Sequence, residues 1–347
     1  MNARPGTRLG DYRIPWTVRA APNPHADHAR RYSNQWAVDV GLARTPQEQA
    51  CIRAWDLVEL AARTTPEAGP DGLALGCCWL AWSGAIDDHL TALPLAEHDA
   101  LTARLAEVLT ANTGTTADDH PLARTMDNLW QTSQRRMSPD WAVRFRSELI
   151  RTFDAMRIEV IQRSTGTVPD FHTYLAARRP SSGTEPFFEL AELANGEEIP
   201  EDITRLGLVR TLRDLTVDHV CWVNDIISYD RENALFEGTW GLVPVILNDR
   251  PHLTENQVVH HIVEMADERA RSFHHITSLL PEYATSLGLT DTDRTGLGRQ
   301  VDILRNWLVG NLDWHCATAH LRYQDHRAPD GGLRIRRSPF APQPAGA

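Results

Sequence analysis

Asp87 and Asp88 stand side by side after the segment Cys77-Cys78-Trp79-Leu80-Ala81-Trp82-Ser83-Gly84-Ala85-Ile86. Two adjacent carboxylates closing so apolar a run are costly to bury without a cation. Oxygen donors alone suit a hard ion such as Mg²⁺, which keeps several waters and takes few carboxylates. A second set of oxygens follows at Asn224, Ser228 and Glu232, spaced i, i+4, i+8. At 100° per residue these stay on one helical face, drifting about 40° per step. The surrounding residues are apolar (Leu212, Leu215, Val220, Val223, Ile226, Ile227), so the polar row is expected to face a cavity. Arg231, beside Glu232, is placed to meet an anion bound to that metal. Two facing sets of hard oxygen ligands describe a site for Mg²⁺ ions that share a polyanionic substrate.

Each pattern has a blander reading, a solvated helix end for the Asp pair and a polar outer face for the row. The chain carries its own control. Asp118-Asp119-His120-Pro121 is a second Asp pair, but it lies in a polar Thr/Ala loop and reads as a turn or helix cap. The doublets His260-His261 and His274-His275 sit on a charged amphipathic segment, and neighbours on a helix cannot face one point. They read as a solvated face. No Ser/His/Asp arrangement, glycine-rich phosphate loop or dinucleotide fingerprint stands out.

The elements that must carry these groups are helices. Apolar residues recur at three- and four-residue spacing in Leu101–Thr110, Trp141–Ile161, Leu206–Ile227, Val258–Leu280 and Leu297–Thr318. Strand signals are nearly absent. The breaks at Thr64–Asp71, Thr113–Pro121, Gly166–Pro169, Pro180–Pro186, Asn195–Pro200 and Pro281–Thr290 are short, as in one antiparallel bundle. The expected fold is all-α, one domain over residues 1–326. Residues 327–347, rich in Pro, Gly and Arg, are expected to form a mobile tail.

Composition narrows the function. With 42% hydrophobic residues a sizeable core is available, and a net charge of −11 excludes a nucleic-acid surface. All 35 basic residues are Arg, whose planar fork suits phosphate. The five cysteines, at 51, 77, 78, 221 and 316, have no CxxC spacing and suggest neither a disulfide framework nor zinc. Met1 to Tyr12 holds no apolar signal region, so a cytoplasmic protein is expected. Gly72 to Ile86 is too short and glycine-rich to span a bilayer and reads as a buried core helix.

The segment Asn224-Asp225-Ile226-Ile227-Ser228-Tyr229-Asp230-Arg231-Glu232 resembles the Asn/Ser/Glu metal-binding triad of bacterial class I terpene synthases. Asp87-Asp88 is similar to that family's aspartate-rich motif. The likeness runs from Pro15…Asn23-Pro24-His25 to Tyr323, and Glu237-Gly238 and Leu242-Val243-Pro244-Val245 follow the triad as in the family. It implies a helical bundle around a central active-site cavity, binding Mg²⁺ (three ions) and an isoprenyl diphosphate, as a monomer or homodimer. Arg178, within Tyr174-Leu175-Ala176-Ala177-Arg178-Arg179, resembles the family's pyrophosphate-sensing arginine. Ser181 and Ser182 take the positions of its linker and effector. Arg322-Tyr323 resembles the pair that binds diphosphate on closure.

Two departures accompany the likeness. Thr91 replaces the acidic residue usual four positions after the first Asp of the motif. The Arg-Tyr pair usually follows a tryptophan by about six residues, which after Trp314 points to His320-Leu321, with Arg322-Tyr323 two residues late.

The implied chemistry is ionisation of an allylic diphosphate followed by cyclisation of the cation. Metal and arginine stabilise the leaving anion, while the cation needs a dry apolar cavity with aromatic faces. Candidates for those walls are Trp79, Trp82, Phe187, Trp307 and Trp314, with Asn311 lying between the last two on nearly the same face. The family's usual substrate favours a C15 chain. The small residues Ser83, Gly84 and Ala85 leave a C20 chain as the alternative. A chain-elongating prenyltransferase is the competing enzyme, although it normally carries two aspartate-rich motifs. An inactive helical binding protein is the competing reading from another class.

Overall fold

The computed structural model describes residues 9, 12–14, 21–111, 113–236, 239–317 and 338–342. The first helices are α1 (Ala26–Asp39), α2 (Pro46–Trp55), α3 (Leu57–Thr64), α4 (Pro70–Leu90) and α5 (Leu95–Ala111). There follow α6 (Pro121–Gln134), α7 (Pro139–Thr165), α8 (Phe171–Ser181), α9 (Thr184–Asn195) and α10 (Glu201–Thr204). The last are α11 (Gly207–Phe236), α12 (Leu242–Asp249), α13 (Glu255–Ser278), α14 (Leu280–Ser286) and α15 (Asp291–Ala317). No strand occurs among the described residues, so the all-α expectation holds. Nor, among them, is any helix long and apolar enough to cross a membrane.

Local chemistry sets the helix ends. Proline opens α2, α4, α6 and α7, where its missing N–H has no partner to lose. Thr45 and Thr254 form capping boxes with Glu48 and Gln257. Two expected breaks are shorter than the sequence suggests. Pro180 lies inside the last turn of α8 and Pro186 inside the first turn of α9, so only Ser182 and Gly183 separate those helices. Pro281 starts α14 rather than a loop. Pro186 and Pro281 lie in first turns, which accept proline, whereas Pro180 sits in the last turn of α8 just before the helix ends.

The long helices α4, α7, α11 and α15 surround a central core. α11 packs on α13 and α15, α15 on α3, and α4 on α1 and α9. Buried ion pairs lock α7, α9 and α11 together. Arg144 meets Glu189 at 3.1 Å and Glu192 at 2.8 Å, and Arg213 meets Glu185 at 2.7 Å and Glu189 at 3.1 Å. α4 approaches α9 so closely that a Cβ at Gly72 would lie 2.0 Å from the Ala194 carbonyl oxygen. The obstacle is backbone, which has no rotamer to yield. Gly72→Ala is therefore expected to lower stability by about 2–3 kcal/mol despite the better helix propensity of alanine. A denaturant melt no lower than wild type would show that the two helices slide apart freely.

His219 on α11 is fully buried, and burial lowers its pKa to about 3. Its Nε2 pairs with the Tyr12 hydroxyl at 3.1 Å. Below pH 6.5 the unfolded chain takes up a proton that the folded chain refuses until about pH 3. Stability is therefore lost as pH falls through that window, by roughly 3 kcal/mol between pH 7 and pH 4. His219→Asn should flatten the acid side of the stability curve. Parallel curves for the variant and wild type would assign the acid loss elsewhere.

Of the expected tail from residue 327 onward, the described part, Ser338 to Pro342, is docked on the domain. Phe340 is buried, its ring 5.3 Å from that of Trp55, and its carbonyl accepts from His89 Nδ1 at 2.7 Å. A lone aromatic in a polar stretch was enough to fasten it. Arg322, Tyr323, His320 and Leu321 lie outside the described residues.

Candidate active site

Helices α3, α4, α7, α8, α9, α11 and α15 line one cavity. Every expected site residue within the described part touches it except Ser228. Asp87, Asp88, Arg178, Ser182, Asn224, Arg231 and Glu232 line it, as do Trp79, Trp82, Phe187, Trp307 and Trp314. Ser83 and Gly84 also reach the wall; Ala85 is buried away from it.

The two oxygen sets meet through a guanidinium. Arg231 Nη2 donates to Asp88 Oδ1 at 3.1 Å, tying the end of α4 to the triad helix α11. Ser228 lies behind the cavity surface, one turn from Asn224 and Glu232. Its Oγ is fully buried and completes no hydrogen bond, though it lies near enough to favour the charged form of Glu232. Burial, then the nearby Asp225, raises the Glu232 pKa to about 7. Among the described residues no three His, Cys, Asp or Glu side chains cluster as a metal site. The oxygen sets are instead a carboxylate pair and a mixed amide, hydroxyl and carboxylate row.

Arg178 is fixed to α11 by one edge of its fork. Nε donates to Asp225 Oδ1 and Nη2 to Asn224 Oδ1, both at 3.0 Å. Burial opposes its charge, but Asp225 together with Tyr174, Cys221 and Glu159 outweighs burial and holds it more firmly protonated than a free arginine. Asp225 in turn accepts from the Tyr174 hydroxyl and from Leu242 N, the latter at 3.2 Å. The neighbouring Arg179 points elsewhere, to Asp218 at 2.7 Å, where Arg269 also binds at 3.0 Å. One step of 100° along α8 separates a cavity arginine from a clamp between helices.

The sequence reading overlooked two charged residues in this cavity, Glu159 and Arg163 of α7. Burial raises the Glu159 pKa, opposed by Arg178 and Arg163, and burial lowers that of Arg163, opposed by Glu159, Asp87 and Glu232. A signal existed. Phe145, Leu149, Thr152, Met156, Glu159 and Arg163 form one stripe at alternating four- and three-residue spacing, so the charges continue a buried face. Phe145, Phe153 and Trp240 were likewise missed as cavity residues.

Much of the remaining wall is aromatic. Trp79 meets Trp82 and Phe145 edge-on at 5.7 and 5.0 Å, and Phe187 stacks on Trp307 at 5.3 Å. The Trp79, Trp82 and Trp314 indoles are pinned by donating to Ser133 Oγ, Leu122 O and Asp56 O. The control pair behaves as a loop. Asp119 accepts from Arg104 Nε at 2.6 Å and Thr116 N at 2.7 Å, and Arg104 holds its carboxyl well below the usual range. His260, His274 and His275 are exposed and His261 half-buried, a solvated face as expected.

Charged groups and aromatic walls lining one cavity within a helical bundle are the architecture of a class I terpene synthase. The comparisons with known proteins agree. The family described as terpene synthase family 2, C-terminal metal binding, matches residues 78–272, and the chain belongs to it. Pristinol synthase of Streptomyces pristinaespiralis is 29% identical over 336 residues, covering 95% of this chain and 89% of that one. A (−)-β-caryophyllene synthase of Saccharothrix espanaensis, named as cyclising (2E,6E)-farnesyl diphosphate, is 28% identical over 91% of this chain and 90% of its own length. Germacradien-4-ol synthase of Streptomyces citricolor shares the fold, with a TM-score of 0.79 at 24% identity over 90% of this chain and all of that one. The protein is a terpene cyclase of a metal-binding family.

Proposed function

We propose that the enzyme is Mg²⁺-dependent and cyclises farnesyl diphosphate, with geranylgeranyl diphosphate as the alternative substrate. The observation that carries this reading is the meeting of Asp87, Asp88, Asn224, Glu232, Arg178 and Arg231 in the wall of one aromatic cavity. The substrate length is supported by the relative named as cyclising farnesyl diphosphate.

The residues fit Mg²⁺ on two counts. Ser228 offers a buried hydroxyl oxygen without a hydrogen bond, and its companions are all hard oxygens. Asp87 and Asp88 would hold metal from α4, and Asn224, Ser228 and Glu232 from α11. Bound Mg²⁺, three ions in this reading, supplies Lewis-acid stabilisation of the departing diphosphate. Arg178 and Arg231 bind the diphosphate oxygens as fixed charges, joined by Arg163 in the same wall. Ser182 begins the short break after α8, where a pull on Arg178 passes directly to α9 and Phe187. The tryptophan and phenylalanine walls exclude water and face the cation with their π-surfaces. Arg322 and Tyr323 are proposed to join the site on closure.

Incubating the protein with C10, C15 and C20 allylic diphosphates, with and without isopentenyl diphosphate, tests the reading. Cyclic product and diphosphate release are expected with Mg²⁺ and not with a chelator. Elongated diphosphates would make it a prenyltransferase, and no turnover would make it a binding protein. Glu232→Gln should raise the Mg²⁺ needed for half-maximal rate about tenfold, and Ser228→Ala less, as ligand strength falls at constant shape. Unchanged Mg²⁺ dependence in both would remove the triad from the site.

A further inference from the structure

Two polar atoms on one face of α15 are buried in the cavity wall without a bonding partner. Asn311 is 4% exposed and its Oδ1 accepts no hydrogen bond. One turn earlier, Trp307 is 3% exposed and its Nε1–H donates to nothing. Both residues line the cavity. Trp79, Trp82 and Trp314 of the same cavity each donate to an oxygen between 2.9 and 3.1 Å away, whereas the indole N–H of Trp307, like that of Trp240, is buried without an acceptor. A buried indole N–H usually finds a partner, and a buried amide oxygen left bare is destabilising.

Residues four apart on a helix are neighbours, about 5–6 Å between Cβ atoms. A buried donor and a buried acceptor on the same stretch of wall are the polar partners that an ordered water needs. The donor on Trp307 and the acceptor on Asn311 are complementary to it. Phe187, stacked on Trp307 at 5.3 Å, holds the indole plane in place.

We propose that Trp307 Nε1–H and Asn311 Oδ1 hold one water molecule in the cavity, and that this water ends the cation cascade to give a terpene alcohol. The inference rests on the cyclase reading above. Trp307 donates to the water oxygen and the water donates to Asn311, which leaves an oxygen lone pair facing the chamber. That lone pair forms a C–O bond to the cationic carbon. The resulting oxonium loses its extra proton to the diphosphate anion released at ionisation. Isoprenyl diphosphate and water become alcohol and protonated diphosphate, with no redox change.

The test uses the full chain with Mg²⁺ and farnesyl or geranylgeranyl diphosphate in water labelled with oxygen-18. Diphosphate release is followed alongside mass spectrometry of the products. The expected wild-type product is an alcohol carrying the label. Trp307→Phe keeps the ring and removes the N–H, and Asn311→Leu keeps the volume and removes the acceptor. Each should lower the alcohol-to-hydrocarbon ratio about tenfold, a readout that a merely structural role would not move. Should one variant fail to fold, the ratio in the other decides; should both fail, the wild-type labelling decides. Diphosphate release with a hydrocarbon as the wild-type product would overturn the proposal and leave the cyclase reading standing. An alcohol ratio unchanged in the folded variants would also overturn it. Absence of diphosphate release would be the separate failure of the cyclase reading, and the proposal would fall with it.

Discussion

Asp87→Asn is expected to lower kcat/KM by about 10²–10³-fold, the cost of losing one preorganised charge at the departing anion. Asp87 faces the cavity at the end of α4, and its neighbour Asp88 is already held by Arg231 at 3.1 Å. An amide keeps the shape and removes the charge, so the measurement isolates electrostatics from packing. Asp119→Asn provides the matched control. Its carboxylate is committed to Arg104 and the Thr116 backbone, outside the cavity lining. Turnover in that variant should remain within about twofold of wild type, as is usual away from a site. Equal losses in the two variants would move the metal site away from α4.

Arg178→Lys should cost about 10²-fold in kcat/KM. Two nitrogens of the fork are committed to Asp225 and Asn224, and in the proposed function the rest of the guanidinium binds the diphosphate. A lysine ammonium cannot bridge two fixed acceptors on α11 and still present a planar donor edge. The sister substitution Arg179→Lys separates catalysis from architecture, because Arg179 serves Asp218 instead. It should lower thermal stability while turnover per folded molecule stays close to wild type. If Arg178→Lys retains rate within about threefold, the arginine belongs to the scaffold and not to anion binding.

Much of this site could be read from residue order, for a physical reason. Asn224, Ser228 and Glu232 belong to one helix, and 3.6-residue geometry alone places them on a stripe. Asp87 and Asp88 announce themselves by contrast with the apolar run before them. Glu159 and Arg163 were hidden because each lies among other charges of α7, where only the phase of the stripe from Phe145 shows that they turn inward. Asp225 was hidden by proximity. Next to Asn224 it looks like part of the ligand motif, yet its oxygens hold Arg178, Tyr174 and Leu242. Such a role depends on α8 arriving beside α11, a tertiary fact with no local signature. The α8–α9 break is shorter than its two prolines suggest, because the first turn of α9 accepts Pro186 and Pro180 falls in the last turn of α8.

Phe340 changes what holds α4 in place. Its ring rests on that of Trp55 and its carbonyl accepts from His89, two residues beyond Asp87 on the same helix. The end of α4 that carries the carboxylate pair is thus braced by a residue 251 positions away in the chain. The orientation of that pair is a property of the whole fold and not of the apolar run that precedes it.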